Sequence, residues 1–109
     1  MAVVPLPAEI NAANAREEGR DLLAAVTPGV GAVVADLTAT TFCDLPGAHM
    51  LALVRSQAQL QKTRLILVVP CAAVLRALSL TGLDHLVPVY PSLDEALSAE
   101  SLPEAGVTR

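Results

Sequence analysis

The 109-residue sequence predicts an α/β domain with a four-stranded, mainly parallel sheet and about four helices. Three observations lead there. Apolar runs of strand length alternate with segments whose apolar residues recur at helical spacing. Proline or glycine punctuates the short connections between them. The run Leu65 to Val69 is apolar without a break, as in a strand covered on both faces. Strands and helices alternating through short connections give parallel pairing with right-handed crossovers.

Ala2 to Leu6 reads as a first short strand, and Pro5 within it removes a ladder donor, which suits a sheet edge. Asn11 is the expected cap of a first helix, with Ala12, Ala15, Leu22, Leu23 and Val26 on one face and Arg16, Glu17, Glu18 and Arg20 on the solvated one. Thr27-Pro28-Gly29 ends it, and Ala32 to Leu37 is a buried-type strand. Pro46 fits the first turn of a second helix, where its missing N–H has no partner to lose. That helix extends to about Gln61, with Leu51, Val54 and Ala58 inward and Arg55, Gln57, Gln59 and Gln61 outward. After Leu65 to Val69, Pro70 closes the strand and Ala72 to Leu80 forms a third helix, stopped at Gly82. Val87 to Tyr90 is a fourth strand. Ser92 and Glu95 make a capping box for a last helix over Leu93 to Ala99. Residues 1–99 are expected as one domain and 100–109 as a flexible tail.

Composition narrows the function. The apolar share is 53%, with one Phe (Phe42), one Tyr (Tyr90), no Trp, and a net charge of −4. A chain with so few aromatic stacking surfaces and no basic excess is not built for nucleic acid. No apolar run approaches the roughly 20 residues that span a bilayer, and the first residues carry no secretory pattern. The expectation is a cytoplasmic protein. His49 and His85 have no partners at metal-ligand spacing, so no metal is expected. The serines lie outside any Gly-x-Ser-x-Gly elbow, and no phosphate-cradling glycine motif is present. No residue set supports catalysis, and no cofactor is expected. A phosphoacceptor receiver is disfavoured too, because Glu9 has no acidic neighbour and Lys62 is the single lysine.

The functional segment is Thr41-Phe42-Cys43-Asp44-Leu45-Pro46-Gly47, between an apolar strand and an apolar helix. Such junctions collect functional residues because free N–H groups at the helix start meet a partner or a phosphate. Four pieces in order carry a family resemblance. They are Leu6-Pro7-Ala8-Glu9-Ile10-Asn11; Val34 to Leu37 with the Asp44 loop; Val68-Val69-Pro70 with Val74 to Leu78; and Leu80-Thr81-Gly82-Leu83-Asp84 followed by Val87 to Tyr90 and Ser92 to Leu97. Together they resemble the STAS domain of anti-sigma-factor antagonists over residues 3–98. The Asp44 loop is similar to that family's Asp-Ser-Ser-Gly or Asp-Thr-Ser-Gly loop, with the hydroxyl residues replaced.

The resemblance implies a non-enzymatic binding module whose partner is an anti-sigma factor with a histidine-kinase-like ATPase domain. It places the partner surface on Thr41, Cys43, Asp44, Leu45, Pro46, Gly47, His49 and Asn11. Phosphorylation in the family falls on the hydroxyl residue after the loop aspartate, a position held here by Leu45, which has no oxygen to modify. Thr40 and Thr41 are the nearby hydroxyls. An accessory place in a larger assembly, such as a lipid-transport ATPase, is the other function class the resemblance allows. The family's usual first antiparallel strand is not found before Ala2, which leaves an edge for pairing with a second copy. Asp44 itself is expected to be exposed. Cys43 and Cys71 are expected to follow neighbouring strand ends, as a candidate redox pair or as two unrelated thiols, with the helix start lowering the Cys43 thiol pKa.

Overall fold

A computed structural model describes residues 1–100. The element order is β1 (Ala2–Pro5), β2 (Glu9–Ile10), α1 (Ala15–Ala24), β3 (Ala32–Asp36), β4 (Phe42–Cys43), α2 (Leu45–Leu60), β5 (Arg64–Val68), α3 (Ala72–Ser79), a 3₁₀ turn (Leu83–His85), β6 (Val89–Tyr90) and α4 (Leu93–Glu100). The main sheet has four strands in the order β1-β3-β5-β6, all parallel, with Val33 opposite Leu65 and Val34 opposite Ile66. This is the architecture expected from sequence. Among the described residues β1 pairs only with β3, so its outer edge is open.

Strand periodicity of two divides the core. Val33, Ala35, Leu65 and Leu67 point to the face covered by α1, α2 and α3, where they pack with Leu22, Leu51, Val54, Val74 and Leu78. Ala32, Val34, Ile66 and Val68 point the other way and pack against Ala96 and Leu93 of α4. Both faces being covered is why β3 and β5 carry no polar alternation. Ser92 accepts from the backbone N–H of Glu95 at 3.1 Å and opens α4 as expected. Glu100 ends that helix, its carboxylate bonded to Arg64 and to the Tyr90 hydroxyl. The remainder of the expected tail lies outside the described residues.

Three local readings need correction. The first helix begins at Ala15, after a turn rather than directly after Asn11. Asn11 Oδ1 accepts from the N–H groups of Ala13 and Asn14 at 2.9 and 3.3 Å, so its capping side chain holds a separate turn. The last strand is shorter than read, Val89–Tyr90, because Leu83–His85 takes up a 3₁₀ turn after the left-handed Gly82, whose φ is 77°. Finally, Glu9–Ile10 and Phe42–Cys43 form a two-stranded parallel ladder that the sequence did not announce.

Candidate functional site

The small ladder builds the site. Ile10 is paired with Cys43 and Glu9 with Phe42. Around them, the N–H groups of Thr41 and Phe42 donate to the Ala8 carbonyl at 2.8 and 3.3 Å, and that of Asp44 donates to the Ile10 carbonyl at 3.1 Å. Thr40, 1% exposed, donates its hydroxyl to the Pro7 carbonyl at 2.7 Å. Thr41 is exposed, and its hydroxyl lies 3.4 Å from the Ala8 carbonyl. Two segments some thirty positions apart in the chain are thereby zipped together along their backbones.

Asp44 stands where the ladder becomes helix. Its backbone is extended (φ −92°, ψ −178°), the geometry of an N-cap residue, and Oδ1 accepts from the Gly47 N–H at 2.9 Å. Oδ2 accepts from the Ala12 N–H at 3.2 Å, which ties α2 to the turn before α1. The aspartate is thus half-buried and internally bonded rather than exposed as expected. Leu45 and Pro46 occupy the first two positions of α2. Gly47 is required sterically: a Cβ there would lie 2.8 Å from Ile10 Cγ2, 2.9 Å from the Ile10 carbonyl and 3.0 Å from Cys43 Sγ. Asn11 stands beside this junction in reciprocal contact with Asn14, whose Oδ1 accepts from the Asn11 N–H at 2.9 Å.

What the junction shows to solvent is apolar. Leu45 is 52% and Phe42 49% exposed, and Pro46 and His49 are exposed beside them on α2. Phe42 lies within the expected functional segment but is not among its expected partner-contact residues. Its exposure follows from the ladder's alternation, which turns Cys43 into the core and Phe42 away from it. Next to the junction, a groove of about 620 Å³ separates the outer surfaces of α1 and α2, lined by Gly19, Leu23, Pro46, His49, Met50 and Leu53 among others. The two helices touch at its floor, where a Cβ on Gly19 would come within 2.8 Å of Met50 Cγ.

The placement and the pKa of Cys43 differ from expectation. Cys43 belongs to the small ladder and is not behind the end of β3. Burial, with the Asp44 carboxylate adding to it, pushes its thiol pKa up to about 11, opposite to the lowering expected from the helix start. Cys71 precedes α3, half-buried, and both cysteines are free thiols. His85 lies in the 3₁₀ turn and His49 in α2.

The sequence profile described as the STAS domain matches residues 1–96. The chain belongs to the STAS domain family. Among solved structures, an anti-sigma factor antagonist from Mycobacterium paratuberculosis is 34% identical, with a TM-score of 0.79 over 89% of this chain and 82% of that one. The protein TM1081, solved by NMR, shares the fold at 23% identity, with a TM-score of 0.73, 88% of this chain and 78% of that one. A part of the murine anion transporter Slc26a9 shares it too, at 24% identity and a TM-score of 0.70, covering 92% of this chain but 18% of the transporter. No curated protein matches the chain. No helix among the described residues is long and apolar enough to cross a membrane.

Within this STAS domain the sequence-derived site residues fall into two sets. Leu45, Pro46, Thr41 and His49 lie on the surface. Asn11, Cys43, Asp44 and Gly47 lie beneath or between them and fix the backbone that presents them.

Proposed function

We propose that this STAS domain is a protein-binding regulator of the anti-sigma-factor-antagonist kind, acting without catalysis, and that its partner is an anti-sigma factor with a kinase-like ATPase domain. The observation that carries the reading is the exposed Leu45-Pro46 step on the rigid Asp44 cap. Large apolar groups standing clear of a fixed backbone mark a contact surface. The antagonist from Mycobacterium paratuberculosis, similar over most of both chains, supports the same reading.

The module is not switched by phosphorylation at the usual position. Leu45 offers no hydroxyl, and a phosphate there would have brought nearly two negative charges to the helix start. Of the two nearby hydroxyls, Thr40 is buried and spent on the Pro7 carbonyl. Thr41 is accessible but precedes the helix by three residues of ladder and cap, so a phosphate on it would sit away from the α2 start.

Incubation with the candidate anti-sigma kinase and ATP, followed by intact-mass spectrometry, tests this. The expected result is complex formation with no mass gain. Phosphate on Thr40 or Thr41 overturns the unswitched reading, whereas recovery of a transporter ATPase as the bound protein would move the module to an accessory role.

A further inference from the structure

The groove between α1 and α2 has a charge pattern that the protein-binding reading does not use. Helices ordinarily set opposite charges four residues apart, and like charges at that spacing repel weakly. On α1 both such pairs are like-charged: Arg16 with Arg20, and Glu17 with Asp21. Burial, with Asp21 and Glu17 adding to it, raises the Glu18 carboxyl above its ordinary range. The two arginines line the groove. Both are exposed, and neither has a hydrogen bond or ion pair among the described residues. His49 lines the groove from the opposite helix. In a chain of net charge −4, two unpaired arginines along one groove are a local reversal of sign.

Beneath the rim the groove is apolar. Ala15, Gly19, Met50 and Val54 form a buried floor, and Leu23 and Leu53 are partly exposed walls. Both helices return from one parallel strand to the next, so they run in the same direction. Gly19 packs against Met50 and Val54 at mid-groove, so Arg16 lies toward Pro46 and His49, Arg20 and Leu53 lie near the middle, and Leu23 lies toward Gln57. The arginines thus occupy the half of the groove that begins at Pro46, and the apolar wall continues from Leu53 to Leu23. From Pro46 to Gln57 the wall is about 16 Å long, and the volume of about 620 Å³ falls within the roughly 300–1,000 Å³ of small-molecule sites. Met50 supplies an adaptable floor.

We propose that this groove binds a free medium-chain carboxylate, with the carboxylate held by Arg16 and Arg20 and the hydrocarbon laid along Gly19, Met50, Leu23 and Leu53. The site is independent of the partner reading, although it shares Pro46 and His49 with the Leu45 surface, so an occupied groove would bear on the wall that presents that surface.

The test is titration of the full chain with decanoate, below the concentration at which it forms micelles, by calorimetry and by amide NMR. The expected result is saturable one-to-one binding, with the largest shifts at Arg16, Gly19, Met50 and Leu53. Decylammonium, which has the same chain length and the opposite charge, should bind at least tenfold more weakly. The double variant Arg16→Gln, Arg20→Gln should lose about fivefold or more in affinity, the scale expected for exposed ion pairs, at an unchanged melting temperature. Leu53→Gln should weaken binding without unfolding the protein, since Leu53 is exposed. Absence of saturable binding, shifts centred elsewhere, or equal affinity for decylammonium overturns the proposal. So does equal decanoate affinity in the double variant. Association with anionic phosphatidylglycerol vesicles in place of monomeric decanoate would also overturn it, in favour of a membrane surface.

Discussion

Two helix starts emerge at the same edge of the parallel sheet, and they are built in opposite ways. At α2, Asp44 caps the first turn, reaches back to Ala12, and stands on a ladder of hydrogen bonds that joins residues 7–10 to 40–44. At α3, Cys71 occupies the cap position with an extended backbone and no side-chain bond to the helix. The difference extends to what each start displays. Leu45, Pro46 and Phe42 stand exposed above the capped junction, whereas the α3 start shows small residues, Ala72 and Ala73. An exposed apolar group costs less entropy to bind when its backbone is already fixed. In the proposed function the capped start is therefore the recognition element, and the uncapped start is a connection.

The sharpest way to break this contrast is at Gly47. Gly47→Ala should lower unfolding stability by about 2–3 kcal/mol, because its Cβ has the Ile10 carbonyl at 2.9 Å and Cys43 Sγ at 3.0 Å to displace. Chemical denaturation would show it, and a change below 1 kcal/mol would mean that α2 can move off β2. Asp44→Ala should cost about 1–2 kcal/mol, the usual range for a lost N-cap. For the same reason a charge reversal at Asp44 confounds folding with binding and cannot serve as an interface test. The reciprocal change gives α3 what it lacks: Cys71→Ser should stabilise by about 0.5 kcal/mol by adding a cap oxygen, and a loss of stability would show that thiol packing outweighs capping there.

The thiols offer a finer comparison. Iodoacetamide should modify Cys71 well before Cys43, since Cys43 is buried and its pKa is pushed up to about 11. The same shift has a pH consequence. The thiol binds its proton more tightly in the folded state than at its ordinary value of 9.0. Its contribution is therefore complete below pH 9 and lost as pH rises from there through about 11. The melting temperature should fall across that window, and less steeply in Cys43→Ala once its lower starting stability is subtracted.

The parts of this molecule that long apolar patterns specify were legible in the sequence. Val33 to Val34 and Leu65 to Val68 bury both sheet faces, and the spacing of Leu51, Val54 and Ala58 placed the inner face of α2. Pro46 located the first turn of that helix. The ladder of Glu9–Ile10 with Phe42–Cys43 was not legible, because two residues per strand carry no periodicity and the pairing is fixed by distant backbone groups. That omission explains the others. Without the ladder, Asp44 looks exposed, Cys43 looks like a thiol at a polar helix start, and Asn11 looks like a helix cap rather than the holder of a turn.

The account rests on the capped start being the contact surface, and one substitution reaches it without touching the cap. Leu45→Glu places a charge on a side chain that is 52% exposed, one position past Asp44 and clear of its two hydrogen bonds. Calorimetric titration of the anti-sigma partner against the wild type and this variant is the direct measurement. We expect at least a tenfold loss of affinity, about 1.4 kcal/mol, with the melting temperature unchanged. Equal affinity for both proteins would remove the Leu45 surface from the interface and contradict the account.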